Sequence, residues 1–308
     1  MLFRSYQHGR KMESSHIVHI VDGTGEHEKL QTLDGPAREI IRTNENVTCY
    51  VPDSKTVIIE KRTTGKFPAL FSEQLTGITD NYVVTKGGQD RVAGYDCQTI
   101  ALEPRDSLRY GHKFCAELNS GLALRARTFT EKGDLVDMFQ FNQLMIGAGV
   151  TKDMLKSRYA GETKGWNIDR SMSDQREAVL DNRWEAKSAL AGFRKLTEMK
   201  RSIPGRAAPV SHIVYSDGIA AVSVFLEPLP TSPPPPGATY RGSVNMYVKS
   251  SADQMVTAVG EAPPGTVKQI AESITARPRS QRAADCDNAV TRIAVEKFVA
   301  YIGMSDVI

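Results

Sequence analysis

Two β-branched runs, Val210-Ser-His-Ile-Val-Tyr-Ser216 and Ile219-Ala-Ala-Val-Ser-Val-Phe-Leu-Glu227, flank the dipeptide Asp217-Gly218. A pair of residues that tolerates positive φ between two such runs is a strong short-range hairpin signal. It predicts a two-residue type I′ turn. The C-terminal half of the chain must therefore hold a small β-rich unit.

The N-terminal half reads in the same way. Residues 6–60 are short apolar-rich runs broken at Asp22-Gly23, Asp34-Gly35-Pro36, Thr43-Asn44 and Pro52-Asp53-Ser54, all turn chemistry. Strands at this spacing predict an antiparallel meander. Pro68 and the apolar residues around it (Ala69, Leu70, Phe71, Leu75, Ile78) predict a loop and a short helix packed on the sheet. Strands resume over 82–147, with turns expected at Gly87-Gly88, Arg105-Asp106, Asn119-Ser120 and Lys132-Gly133. Periodicity then fades and charge rises. The expected division is a sheet domain over 1–150, a linker over 151–183, a smaller α+β domain over 184–275 and an atypical tail over 276–308. Inside the second domain, Leu229-Pro-Thr-Ser-Pro-Pro-Pro-Pro-Gly237 cannot supply ladder donors and predicts an exposed extended loop. Pro263-Pro264 opens a helix expected over 265–275. In the tail, Val290, Ile293, Phe298, Val299 and Ile302 fit an amphipathic helix, and a foreign tail fits equally well.

Composition narrows the function. A formal net charge of +3 over 308 residues, with no dense Lys/Arg run before the tail, gives a nucleic-acid role no electrostatic support. No segment approaches the ~18 consecutive apolar residues of a membrane-spanning helix. Nucleotide-binding, nucleophile-elbow, zinc-protease and Cys-x-x-Cys motifs are all missing. Asp22, Glu26 and His27 could ligate a metal, but exposed turn residues are the better reading, and His16 and His19 fall on opposite strand faces. Ser216, Asp217 and His212 sit where hairpin closure requires them, and Cys49 reads as a small hydrophobe. The expectation is no enzyme, no cofactor and no metal.

The cysteines carry more information. If Arg105-Asp106-Ser107 form a three-residue loop, Cys97 faces Cys115 and Glu103 faces Arg109, with Leu102 facing Tyr110 on the opposite side. Opposed residues lie within disulfide range, and an oxidising compartment permits the bond. The alternative is two half-buried thiols.

A curved sheet of this size leaves a concave apolar face. Leu70, Phe71 and Leu75 are expected over it, and Phe139, Phe141 and Met145 to project into it from the last long strand. They form either an ordinary core plug or a lipid cavity.

Long strings of the sequence, in order, resemble one family. They are GTGEHEKLQTLDGPAREIIR from Gly23, VTCYVPDSKTV from Val47, RVAGYDCQTIALEPRDSLRYG from Arg91, QFNQLMIG from Gln140, HIVYSDGIAAVSVFLE from His212 and RGSVNMYVKSSADQMVTAVGEAPPGTVKQIAESI from Arg241. The chain resembles the MucB/RseB family, periplasmic negative regulators of the sigma-E envelope-stress pathway. The resemblance implies an α+β fold: an N-terminal LolA-like unclosed antiparallel β-barrel with helices, and a smaller C-terminal α+β domain. It also implies binding to the periplasmic region of a membrane-spanning anti-sigma factor, shielding of that region from proteolysis, and release by lipid or lipopolysaccharide. A homo-oligomer is compatible with it. Tyr215, Asp217 and Gly218 are candidate partner contacts, through an exposed strand edge beside their hairpin that could accept an extended segment. The rival readings are a periplasmic lipid or lipoprotein carrier, which the first domain alone would allow, and a hydrolase using Cys49 or Ser216. Met1-Leu-Phe-Arg-Ser lacks the apolar core of a signal peptide. Because the family is exported, a trimmed or miscalled start is the expectation, and the periplasm the expected compartment.

Overall fold

The computed structural model describes residues 2–7, 13–61, 78–147, 149–170, 184–186, 190, 192–201, 209–241, 243–251 and 254–276. Turn chemistry acts first. Asp22 pairs with Gly25 and Thr43 with Asn46, so each hairpin closes on two residues. Asn44 sits at φ 54° in the second turn, and its side chain accepts from Glu26 N and donates to Thr24 O, tying the two hairpin tips together.

Twelve strands build the first sheet. They are β1 (Leu2–Gln7), β2 (Glu13–Asp22), β3 (Gly25–Thr32), β4 (Glu39–Thr43), β5 (Asn46–Val51), β6 (Thr56–Lys61), β7 (Tyr82–Val92), β8 (Tyr95–Pro104), β9 (Gly111–Glu117), β10 (Ala123–Phe129), β11 (Leu135–Gln143) and β12 (Asn167–Asp169). Their spatial order is β12-β6-β5-β4-β3-β2-β1-β11-β10-β9-β8-β7. The two meanders meet where β1 lies between β2 and β11, and the sheet stays unclosed, with edges at β12 and β7. Only the β12–β6 pair is parallel among these contacts. The four-residue helix α1 (Ile78–Asn81) leads into β7.

Its core gathers Ile17, Val92, Leu124, Phe139 and Phe141 around Cys97 and Cys115. Phe139 and Phe141 meet edge to face at 5.0 Å. On the other side of the meander, Lys29 and the fully buried Glu39 pair at 3.2 Å, and Lys29 also donates to Lys156 O at 2.5 Å. Lys152 reaches Asp22 at 2.7 Å, while Tyr159 packs between Tyr50 and Trp166. The stretch expected as linker thus starts as a strap fastened to β2–β6, with a 3-10 turn at Lys152–Leu155 and strand β12.

The second sheet runs β14 (Arg194–Arg201), β15 (Val210–Ser216), β16 (Ala221–Pro228), β19 (Gln254–Gly260), β18 (Val244–Ser251) and β17 (Gly237–Arg241), in that spatial order. Helix α2 (Pro264–Ser273) covers one face, packing Val267, Ile270 and Ala271 on Ile213, Val222, Val224 and Ala258. The ribbon β13 (Trp184–Ala186) with β20 (Ile274–Ala276) closes that layer. Gly260 is required by strand approach, since a Cβ there would meet Ala221 O at 2.4 Å.

Several expectations need correction. Gly87-Gly88 is no turn but a bulge inside β7, between Lys86 and Gln89; the chain reverses at Ala93-Gly94. The Asp217-Gly218 turn is a four-residue loop, because Ser216 pairs with Ala221. The β8–β9 loop is longer than three residues, because Leu102 pairs with His112 rather than Tyr110. Register shifted by two keeps each side chain on its face. Cys97 and Cys115 are therefore still neighbours, now diagonal, and are joined by a disulfide with Cα atoms 5.4 Å apart. Met145 lies beyond the end of β11 and is 51% exposed, so it does not share the setting of Phe139 and Phe141. Leu70, Phe71 and Leu75 lie outside the described residues, as does the tail from 277.

Candidate functional site at the junction of the two sheets

The extra length of the β8–β9 loop has a purpose. Residues 105–110 leave the hairpin and enter the second domain. Arg109, expected opposite Glu103, is instead fully buried, with its Nε 3.2 Å from Asp217 Oδ2 and its Nη1 3.5 Å from Asp106 Oδ2. Its guanidinium also stands 5.3 Å from the Phe193 ring and 5.8 Å from that of Tyr82. Thr266 Oγ1 donates to Leu108 O at 2.8 Å, and Asn245 Nδ2 donates to Tyr110 Oη at 2.9 Å.

Asp217 meets this loop from the other side. Its Oδ1 accepts from Ile219 N (3.0 Å) and Ala220 N (2.8 Å), which shapes the hairpin loop. Its Oδ2 accepts the Tyr82 hydroxyl at 2.9 Å and faces Arg109. One carboxylate thus orders a turn and fastens two domains. Burial, reinforced by the Asp217 charge, holds the Tyr82 hydroxyl far above its ordinary range. Ile219 adds an apolar contact by packing on Tyr82, Leu102 and Phe114. His112, stacked on Phe114 at 5.9 Å, is pushed down to about 4 by burial and stays neutral.

The sequence-predicted partner contacts therefore change role. Tyr215 and Asp217 are buried, at 6% and 4% exposure, and their hairpin strands β15 and β16 are interior to the sheet. Among the described strands, neither strand of that hairpin is a sheet edge. The edges of the described sheet are β14 and β17. Trp184 bonds to Glu198, and Lys195 reaches both Trp184 O and Glu198, so β14 is flanked by β13. Strand β17 is the more open edge, with Tyr240 69% exposed. Gly218, at φ 100°, is locked by its N–H to Ser216 Oγ, and Ser216 Oγ donates in turn to Ala220 O. That hydroxyl serves the loop rather than a nucleophile, and His212 lies stacked on Phe225 at 4.3 Å.

The acidic candidates separate as well. Asp22 and His27 share the hairpin tip with Thr24, whereas Glu26 turns toward His19 and Glu28. Those three could hold a cation by position, but Arg42 contacts Glu26 and Glu28 at 2.8 Å each and already neutralises them.

Sequence reasoning missed Tyr82, Arg109, Tyr110, Asn245 and Thr266. The usable signal was an arginine–tyrosine pair beside a polar turn, which a tight hairpin has no reason to keep.

Comparison with known proteins gives a consistent picture. The family profile described as MucB/RseB N-terminal domain matches residues 3–159, and that described as MucB/RseB C-terminal domain matches residues 179–275. The Sigma factor AlgU regulatory protein MucB of Pseudomonas aeruginosa is 28% identical over 289 residues, covering 90% of this chain and 86% of the relative. The Sigma-E factor regulatory protein RseB of Haemophilus influenzae is 24% identical over 270 residues, covering 86% and 82%. The crystal structure of MucB in complex with MucA(peri) superposes at a TM-score of 0.68 with 27% identity, covering 90% of this chain and 92% of that one. The complex structure of Pseudomonas aeruginosa MucA/MucB gives 0.67 at 28% identity, with the same coverage.

Proposed function

The chain belongs to the MucB/RseB family, and from that membership we propose that it regulates by binding the periplasmic segment of a membrane-spanning anti-sigma factor. Its relatives are named as regulatory proteins, and it is a regulator rather than an enzyme. The observation that carries the partner is the likeness, over 90% of the chain, to MucB solved with MucA(peri).

On this reading the protein works in the periplasm, where its disulfide is stable. It shields the bound segment from proteolysis. Lipid or lipopolysaccharide releases the segment by preferring the unbound form, and can shift the balance only by its differential affinity. Phe139 and Phe141 would form the apolar floor of a lipid site. The segment adds as an extended strand at β17, whose outer side pairs with no described strand.

The test is calorimetric titration of the full chain with the isolated periplasmic segment of the anti-sigma factor from the same cell. A Kd of about 1 μM or tighter is expected. Absence of binding would overturn the reading. A protease assay on the segment, with and without the chain and then with added lipopolysaccharide, checks the shielding and release steps in turn.

A further inference from the structure

Strands β9 and β10 set two cations directly opposite each other. Arg127 pairs with Lys113 across that boundary, and on its other side it opposes the uncharged Met138 of β11. Arg125 lies two residues along β10 on the same face, between Cys115 and Gln140. Like charges directly opposed in a sheet are destabilising. Burial, and after it the charge of Arg125, disfavours the charged form of Arg127.

Compensation reaches only one of the three. Asp90 of β7 contacts Arg125. Among the described residues, neither Lys113 nor Arg127 makes an ion pair. Lys113 Nζ instead stands 5.5 Å from the centre of the Phe129 ring. By register the next acid along this face is Glu103, two residues beyond Ala101, which opposes Lys113.

The face is concave. Arg125 and Asp90 belong to strands three places apart in the sheet, β10 and β7. On a flat sheet those strands would lie about 14 Å apart, at about 4.8 Å for each step, too far for the two side chains to meet. Their contact therefore requires the sheet to curl toward this face. Lys113 is exposed and Arg127 half-buried within the curl, so both are open to solvent. Phe139 falls on the opposite face, in one row with Ala126 and Phe114. The cations are thus separate from the apolar floor proposed for lipid, and the two readings stand independently.

We propose that Lys113 and Arg127, with Arg125 beside them, form a cradle for a phosphate group on the concave face of β7–β10. Arginine's planar fork bonds a phosphate through two oxygens, and lysine adds a point charge with three rotatable donors. A phosphate monoester carries close to two negative charges at neutral pH and so matches two cations, where a carboxylate carries one. A phosphate between them offsets the repulsion of the opposed pair. Inorganic phosphate and a phospholipid headgroup share this chemistry, and the test separates the two sources.

The test is calorimetric titration of the full chain with inorganic phosphate, beside sedimentation with neutral phosphatidylcholine vesicles and with the same vesicles carrying phosphatidic acid. A phosphate Kd of about 1 mM or tighter is expected, or retention by the phosphatidic acid vesicles but not the neutral ones. Binding of inorganic phosphate alone identifies a soluble ligand, binding of the acidic vesicles alone identifies a headgroup, and binding of both supports the shared chemistry. Lys113→Gln and Arg127→Gln should each weaken binding about tenfold. Asp90→Asn releases Arg125 and should tighten it, a gain that a structural role for these side chains does not produce; an affinity that fails to rise overturns the part given to Arg125. Lys268→Gln, an exposed cation on α2, should change nothing. Absence of binding in every arm, or undiminished binding when Lys113→Gln and Arg127→Gln are combined, overturns the proposal. Should Arg127→Gln fold poorly, Lys113→Gln at its exposed site decides by the same criterion.

Discussion

Strands β7 and β15 are both rich in β-branched residues, yet their fates are opposite. In β15 seven consecutive residues are buried. In β7 nine consecutive residues between Tyr82 and Val92 are exposed. The difference is position in the sheet. β15 has a neighbour on each side and lies in the sheet covered by α2. β7 ends the first sheet, and its edge is blunted by Lys86, Asp90, Arg91 and the Gly87-Gly88 bulge. Composition proposes a strand, and its neighbours decide how much that strand contributes to stability.

The largest expected effect breaks this comparison directly. Val224→Asp, in the centre of the second sheet, puts an uncompensated charge in a dry core and should cost about 5 kcal/mol, enough to unfold that domain. Val84→Asp on β7, where the native side chain is 47% exposed, should change stability by under about 0.5 kcal/mol. Urea unfolding of the two variants measures the contrast.

Next comes the contact that joins the two regions. Asp217→Ala removes the closer, fully buried carboxylate of Arg109 and the acceptor of the Tyr82 hydroxyl, leaving the longer contact to Asp106, and should cost about 3 kcal/mol. Combining Arg109→Met with Asp217→Leu removes both charges, and should recover much of the loss. A double variant as unstable as the sum of its parts would show that the hydrogen bonds, not the charge pair, matter.

Within the first domain, Cys97→Ser with Cys115→Ser opens a link spanning 18 residues, for a loss of about 3 kcal/mol. The second domain should be unaffected, so two transitions should appear in calorimetry where their separation was smaller before.

The smallest of the expected losses is a pH slope. His112 is held near 4 in the folded protein against about 6.5 when unfolded, so the unfolded chain takes up a proton that the folded one refuses. Stability should fall as pH drops below about 6.5, by roughly 2–3 kcal/mol by pH 4, and His112→Phe should flatten that limb.

How much of this was legible in the sequence depends on the range of the physics involved. Strand identity follows from a period of two, a local property, and the hairpins at Asp22 and Thr43 follow from two or three turn residues. The same-face relation of Cys97 and Cys115 survived a register error, because a shift of two residues preserves parity. The family, too, was written in contiguous strings. What the sequence could not settle is where a loop residue spends its charge. Arg109 reads equally well as the partner of Glu103 across a tight hairpin, and Asp217 as a turn former open to a partner. Only the tertiary structure shows that each is desolvated by the other. That pairing spans more than a hundred positions and has no local periodicity to announce it. The sequence by itself determined the strands, their faces and the family. The packing of one domain on the other decided which strands are edges, which acids are buried and therefore which groups can respond to a proton.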